Sequence, residues 1–193
     1  MLLNLVQVVY WLALSTWFGG VLFIAASAPV IFRTVKESDP LLPTVLSVNL
    51  EGQHGTLLAG TIIGNLISML SRVELICAGV LLLSIGAQWL LVDLHNEWNL
   101  ASTAVRSGLY LAATGIVLYD WRLLWPKIWK AREDFIAHAD DPEIANPARD
   151  RFHQLQRQSV TLLTLLTFLL LGMILFSATI HQTTIVISAA RGG

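Results

Sequence analysis

The chain has 193 residues, of which 55% are apolar and 13% are charged, whereas ordinary soluble domains carry about 25% charged residues. Its 12 basic and 13 acidic residues nearly cancel, so the composition does not favour a nucleic-acid partner. The single cysteine, Cys77, lies in an apolar run. One cysteine excludes an intramolecular disulfide and a CxxC metal or haem-attachment site. The composition therefore indicates an integral membrane protein.

Four segments are candidates for transmembrane helices, each of which needs about 20 mainly apolar residues. They are residues 5–32, 73–93, 104–125 and 159–180. The third is the least apolar, because it includes Arg106, Asp120 and Arg122. We predict an all-α fold: one domain over residues 1–193, built as a four-helix membrane bundle with segments 33–72 and 126–158 on the cytoplasmic side.

The uncharged stretch 55–71 does not fit a simple count of spans. Only three residues, Arg72 to Glu74, separate it from the uncharged part of the second span, which begins at Leu75, and they include no glycine or proline that would turn the chain back. The stretch projects from the membrane, lies along its surface or re-enters it, and all three alternatives stay open.

Four glycines and one proline are interpreted as features of helix packing. Gly19 and Gly20 lie in the first span, and Gly60 and Gly64 are one helical turn apart. Small residues allow membrane helices to approach closely. Pro29 is interpreted as a tolerated kink or as the end of a helix.

Basic residues are distributed unevenly around the spans. Ten lie in or beside the segments 33–72 and 126–158, and only Arg106 and Arg191 lie on the other side. Because loops rich in lysine and arginine stay in the cytoplasm, we expect both termini outside a bacterial inner membrane.

The segment 126–158 has a helical pattern of apolar residues. These residues include Trp125, Ile128, Trp129, Phe135 and Ile136. The pattern stops at Asp141-Pro142, and Asn146-Pro147 resembles the start of a second helix. We predict a helical hairpin that extends the third and fourth spans. An amphipathic helix on the membrane surface, with the two tryptophans in the interface, is the alternative.

Charged residues near the cytoplasmic ends of the spans are predicted to form a polar network. The aspartate side chain is too short to reach the interface, so Asp120 is expected to face the bundle interior with a partner. Antiparallel packing brings it level with Arg72, Glu74 and Arg157. We therefore predict that Asp120 contacts Arg72 or Arg157.

Polar residues also lie at the predicted outer ends of the spans. Asp93 and Arg106 should come level in the second and third spans and form a partly wet ion pair. His95 and His181 end the second and fourth spans, and they are weak candidates for the ligands of a metal site. The interface is the more common place for such histidines.

Several short motifs, in their order along the chain, resemble those of a known family. They are Trp17-Phe18-Gly19-Gly20, Pro29-Val30-Ile31-Phe32, Ala59-Gly60 with Gly64, Arg72-Val73-Glu74, and Phe152, Leu155 and Ser159. The chain resembles the bacterial family of domain of unknown function 4149, which is similar to eukaryotic transmembrane protein 205. The resemblance implies a four-helix membrane protein and supplies no established reaction.

Three kinds of function fit these features. The first is a non-enzymatic scaffold, assembly or regulatory module; the second is a small-solute or ion transporter or efflux component; the third is a metal- or haem-binding redox protein. No HExxH, GxSxG or phosphate-loop motif occurs. We prefer the first, without a cofactor. Its expected partners are the lipid bilayer and either a second copy or another membrane protein.

The predicted orientation can be tested with a reporter enzyme that is active only outside the cytoplasm. Because the basic residues are so unevenly distributed, the reporter should be active when fused after Gly193 and inactive when fused after Asp141. The reverse pattern would contradict the orientation, and activity at both sites would contradict the number of spans.

Overall fold

The computed structural model describes residues 2–38, 54–91, 100–138 and 141–191. Five α-helices lie in these ranges: α1 (Leu2–Glu37), α2 (His54–Leu91), α3 (Leu100–Tyr119), α4 (Trp125–Ala137) and α5 (Pro142–Arg191). A π-helical segment, Asp120–Leu124, joins α3 to α4 without a break, which makes four long helical rods. These ranges contain no strand. The all-α, four-helix prediction is confirmed.

Three of the helices are long and apolar enough to cross a membrane. The stretches are Asn4–Val35, Leu58–Leu90 and Glu143–Ala178. Large apolar side chains face outward along them, including Leu83 in α2, which is 75% exposed, and an outward apolar face is what a lipid environment favours. The chain therefore has the character of a multi-pass membrane protein. The third predicted span, 104–125, stays a prediction.

Helix α2 runs without interruption through Arg72 and Glu74. Its 38 residues correspond to a length of about 57 Å at ~1.5 Å per residue, well beyond the ~30 Å hydrocarbon core. Residues 55–71 therefore neither turn back nor form a separate helix. They are the first part of the helix that carries the second predicted span.

Pro29 and Pro147 lie well inside α1 and α5. Pro29 lies in α1, which continues to Glu37, so Pro29 does not end a helix. Pro147 lies within α5, although the sequence predicted that a helix would start there. Each proline removes one backbone N–H donor, and long membrane helices tolerate that loss.

The start of α5 is set by Asp141 rather than by Asn146. The Asp141 side chain accepts a hydrogen bond from the Glu143 backbone N–H at 3.1 Å. Pro142 takes the first helical position, where a missing N–H costs nothing. The predicted start at Asn146 is wrong because this cap comes five residues earlier. Since α4 continues α3 and α5 runs unbroken through residues 159–180, both helical extensions are confirmed.

The helices form two compact units. Unit 1 comprises Met1–Gly19, Val73–Val117 and Leu165–Gly193, and unit 2 comprises Gly20–Arg72 and Leu118–Thr164. The largest fully buried apolar side chains in unit 1 are Tyr10, Leu14, Trp17, Leu81, Leu170 and Met173. The buried core of unit 2 includes Val21, Ala59, Leu124, Ile128 and Phe135.

The predicted packing glycines divide into two pairs. A Cβ atom on Gly20 would lie 2.7 Å from Leu70 Cδ1, and one on Gly64 would lie 3.3 Å from Trp125 Cη2. Both glycines therefore allow close contacts within unit 2, as predicted. Among the described residues, a Cβ atom on Gly19 or Gly60 would have no neighbour within 4 Å. For these two the packing role stays a prediction.

Adjacent glycines provide a matched test of this packing. Gly20→Val would push against Leu70, so we expect it to lower the free energy of unfolding by about 1–3 kcal/mol, the usual cost of overpacking. Gly19→Val should change it by less than ~0.5 kcal/mol, because its site is open. Thermal or denaturant unfolding of the purified variants in detergent measures both. Equal losses would contradict the assignment of Gly20 as the packing residue.

Candidate functional site

Buried polar side chains concentrate in unit 1. The members are Glu74, Ser84 and Gln88 from α2, Thr103 and Arg106 from α3, and Ser177 from α5. Helix α1 adds the hydroxyl of Tyr10, a side chain with no exposed surface. Buried polar groups require hydrogen-bond partners, so the pairing of these groups decides what the cluster can do.

Three pairs connect neighbouring helices within unit 1. Gln88 Nε2 donates to Gln7 Oε1 at 3.3 Å, Trp89 Nε1 donates to Ser107 Oγ at 3.1 Å, and the Tyr110 hydroxyl donates to the Ala78 carbonyl oxygen at 2.8 Å. Each pair joins two neutral groups. Neutral polar groups in this cluster therefore satisfy one another across helices.

Arg106 is different from these neutral pairs. It is 4% exposed, and its Cζ atom lies 5.2 Å from the centroid of the Tyr10 ring. The Tyr10 hydroxyl is hydrogen-bonded to Ser177 Oγ at 2.6 Å. The Arg106 side chain is also hydrogen-bonded to Tyr10, whereas its Nε atom has no hydrogen-bond partner among the described residues. Since a guanidinium does not lose its proton in proteins, a permanent positive charge lies in the core of unit 1.

The predicted outer features lie only partly within the described residues. Asp93 and His95 are outside them, and nothing is described of the His181 side chain. The Asp93–Arg106 pair and the histidine metal site therefore stay predictions. The described residues contain no group of three His, Cys, Asp or Glu side chains that could hold a metal ion. The sequence identified Arg106 as a candidate and predicted that its side chain would be partly exposed to water. In the structure the side chain is buried.

Glu74 is also buried in unit 1, and its carboxylate faces α1. Trp17 Nε1 donates a hydrogen bond to Glu74 Oε1 at 3.4 Å. The Glu74 side chain is 6% exposed, and Trp17 has no exposed surface. The sequence predicted that Glu74 would belong to the network around Asp120, and it did not indicate this indole donor. Both residues lie in predicted spans, but the sequence did not show which way each side chain points around its helix axis.

Asp120 has a partner in unit 2 that the sequence pattern did not predict. Ser159 Oγ donates to Asp120 Oδ1 at 3.1 Å, and Gln158 bonds to the Tyr119 hydroxyl one residue earlier on both segments. Arg72 and Arg157 are exposed. Neither forms an ion pair with Asp120 in the described part of the chain. The predicted arginine contact is wrong, because a nearby hydroxyl satisfies the carboxylate while the long arginine side chains stay solvated.

Helix α4 is anchored to α2 by aromatic and polar contacts within unit 2. Arg132 Nη2 donates to Thr61 Oγ1 at 2.6 Å, and the guanidinium lies 5.2 Å from the Trp129 ring centroid. Trp125 packs on Gly64 and meets Trp129 edge to face, with centroids 6.0 Å apart. Burial lowers the pKa of Arg132, but arginine remains charged. The sequence indicated the glycine face and the tryptophan spacing separately, but not that they meet.

An open groove of about 550 Å³ follows the outward side of α1 in unit 1. Its described lining residues are Asn4, Gln7, Val8, Trp11, Leu12 and Ser15. These side chains are neutral, so they would give a charged substrate no ion pair. Most small-molecule sites are concave and enclose their ligand, which this open groove does not.

Comparison with known proteins adds no assignment. No protein-family model, curated protein or solved structure matches the chain. The features that bear on function are therefore the buried charge in unit 1 and the anchored helix α4 in unit 2.

The partner of Asp120 can be tested by substitution. Ser159→Ala removes a donor from a half-buried carboxylate, so we expect a loss of about 1–3 kcal/mol in the free energy of unfolding. Asp120→Asn keeps an acceptor oxygen for Ser159 and should be milder than Asp120→Leu. Arg72→Gln and Arg157→Gln, as controls, should each change stability by less than ~0.5 kcal/mol. If either arginine variant is as destabilised as Ser159→Ala, the carboxylate is paired with that arginine in solution.

Proposed function

We propose that this chain is a non-enzymatic assembly or regulatory module of a bacterial inner membrane. In this proposal both termini lie outside, and α4 together with the first part of α5 forms a cytoplasmic hairpin that docks onto another membrane protein. The order of the spans and the excess of lysine and arginine around residues 33–72 and 126–158 support this orientation.

One observation carries the proposal: α4 is fixed on one face and charged on the other. Ile128, Ala131 and Phe135 are buried in unit 2, and the bond from Arg132 to Thr61 fixes the helix further. The opposite face is exposed and bears Lys127, Lys130, Glu133 and Asp134. An amphipathic helix that lies on a membrane would turn its apolar face to lipid, whereas this one packs that face within its own unit.

A charged, rigid helical face favours recognition of a protein over catalysis. Charged rims control association rate and partner choice more than affinity. A helix that is ordered before binding loses little conformational entropy when it docks. The resemblance to the bacterial family of domain of unknown function 4149 points to the same class, since it supplies a membrane bundle and no established reaction.

Site-specific photo-crosslinking in native membranes tests the docking proposal. A benzophenone amino acid at Lys130, on the exposed face of α4, should give one discrete protein adduct. The same probe at Leu83, an outward apolar position on α2, should give none. Arg132→Gln removes the bond to Thr61, so it should lower the Lys130 adduct several-fold while the circular dichroism spectrum stays helical. The proposal fails if no α4 position gives an adduct above the Leu83 background.

A further inference from the structure

We propose that Arg122 and Arg157, with the aromatic side chains of Tyr119 and Trp121, form a surface in unit 2 that binds the headgroup of an anionic phospholipid. These four residues are called the arginine patch. The patch contains none of the α4 residues on which hairpin docking depends, so either proposal can fail without the other.

A hydrogen bond between two helical segments of unit 2 brings the two arginines of the patch to the same place. Ser159 Oγ donates to Asp120 Oδ1 at 3.1 Å. Arg122 lies two residues after Asp120, and Arg157 lies two residues before Ser159. Both arginines are exposed. Two positive charges therefore flank one contact between the segments, on its outer surface.

The arginine patch lies where the outward surface of unit 2 changes from apolar to charged. On one side of it, Leu118 is 44% exposed and Val160 is 59% exposed. On the other side, the exposed side chains include Lys127 in α4 and Arg151 in α5. Exposed apolar groups favour lipid and exposed charges favour water. This change places the patch at the level of the lipid headgroups, where tryptophan and tyrosine are enriched.

The two arginines of the patch have no ionic partner within the described ranges. Arg33 and Arg149 each form an ion pair with a carboxylate nearby in the sequence, at 2.9 and 3.6 Å, whereas Arg122 and Arg157 form none. The neighbouring Asp120 carries at most one negative charge against their two positive ones. A net positive surface beside a bilayer attracts anionic lipids. A zwitterionic lipid is a poorer ligand, because its ammonium group offsets its phosphate.

The donor groups of the patch fit a phosphodiester. Arg122 Cζ lies 5.6 Å from the centroid of the Trp121 ring. The ring provides no oxygen to the guanidinium N–H groups, whose planar fork matches two phosphate oxygens. The Tyr119 hydroxyl accepts a hydrogen bond from Gln158 Nε2 at 3.3 Å, so its own hydrogen stays available to a further oxygen. The patch thus offers one headgroup two guanidinium groups and a hydroxyl.

The experiment uses the full chain, purified in a maltoside detergent that contains no phosphate. Thermal unfolding is followed during titration with phosphatidylglycerol. Phosphatidylcholine is the reference, because it has the same phosphodiester and no net charge. The variants are Arg122→Gln, Arg157→Gln and the double variant. Arg151→Gln is the matched control, because Arg151 is an exposed arginine of α5 about 9 Å further along the helix at ~1.5 Å per residue.

We expect phosphatidylglycerol to raise the unfolding temperature of the intact chain saturably, and more than phosphatidylcholine does. Each single substitution in the patch should weaken the apparent affinity for phosphatidylglycerol about fivefold, the usual contribution of one basic side chain near an anionic surface. The double variant should no longer distinguish the two lipids. Arg151→Gln should respond like the intact chain. Without lipid, all variants should unfold at nearly the same temperature, because the substituted side chains are exposed.

Three results would overturn the proposal. The first is an equal response of the intact chain to both lipids. The second is an equal loss of affinity in Arg151→Gln, since the attraction would then come from the overall charge of the hairpin. The third is an equal rise with sodium phosphate alone, which would identify a soluble anion as the ligand.

Arg122→Lys tests the patch even if Arg122→Gln fails to fold. It keeps the positive charge and removes the planar fork, so it should still respond to phosphatidylglycerol with a lower affinity than the intact chain. An unchanged affinity in Arg122→Lys would contradict binding through the guanidinium of Arg122.

Discussion

The need to compensate polar groups away from water is the constraint on which this structure depends. The backbone N–H and C=O groups of a helix bond to one another within the helix, so the polar groups that still need partners are side chains. In unit 1 most of these side chains pair across helices: Gln7 with Gln88, Trp17 with Glu74, and Tyr10 with Ser177. Each such pair fixes the register of two helices, because a slip of one residue would separate both partners.

Unit 2 is held together more by the packing of small residues against large ones than by polar contacts. Gly20 makes room for Leu70, and Gly64 makes room for Trp125. Small residues that face large ones are the usual means of close approach in membrane proteins, where lipid is as apolar as the helix surface. Polar bonds such as Ser159 to Asp120 then add directional contacts to this packing. The units therefore differ in kind: unit 1 holds a buried charge, and unit 2 holds an ordered, charged surface.

The sequence predicted the helical class and three of the apolar stretches well, because bilayer thickness fixes their length. It predicted individual contacts poorly, because contacts depend on rotation about each helix axis. Gly19 and Gly20 differ by one residue, yet only Gly20 meets a neighbour. Asp120 begins a π-helical turn, whose period differs from 3.6, so the pairing with Ser159 could not be read from an ideal helical pattern. Arg106 was identified as a candidate because a charged residue is rare in such a segment, but the sequence did not show how deeply its side chain is buried.

The bond between Trp17 and Glu74 has a consequence for biogenesis. Glu74 lies at the start of the second predicted span, and its side chain is 6% exposed, so an ionised carboxylate there is costly to bury unless hydrogen-bond donors compensate for it. Trp17 offers that carboxylate an indole N–H from the preceding helix. The Glu74 carboxylate is therefore better compensated when α1 lies beside α2, which favours insertion of α1 before or together with α2.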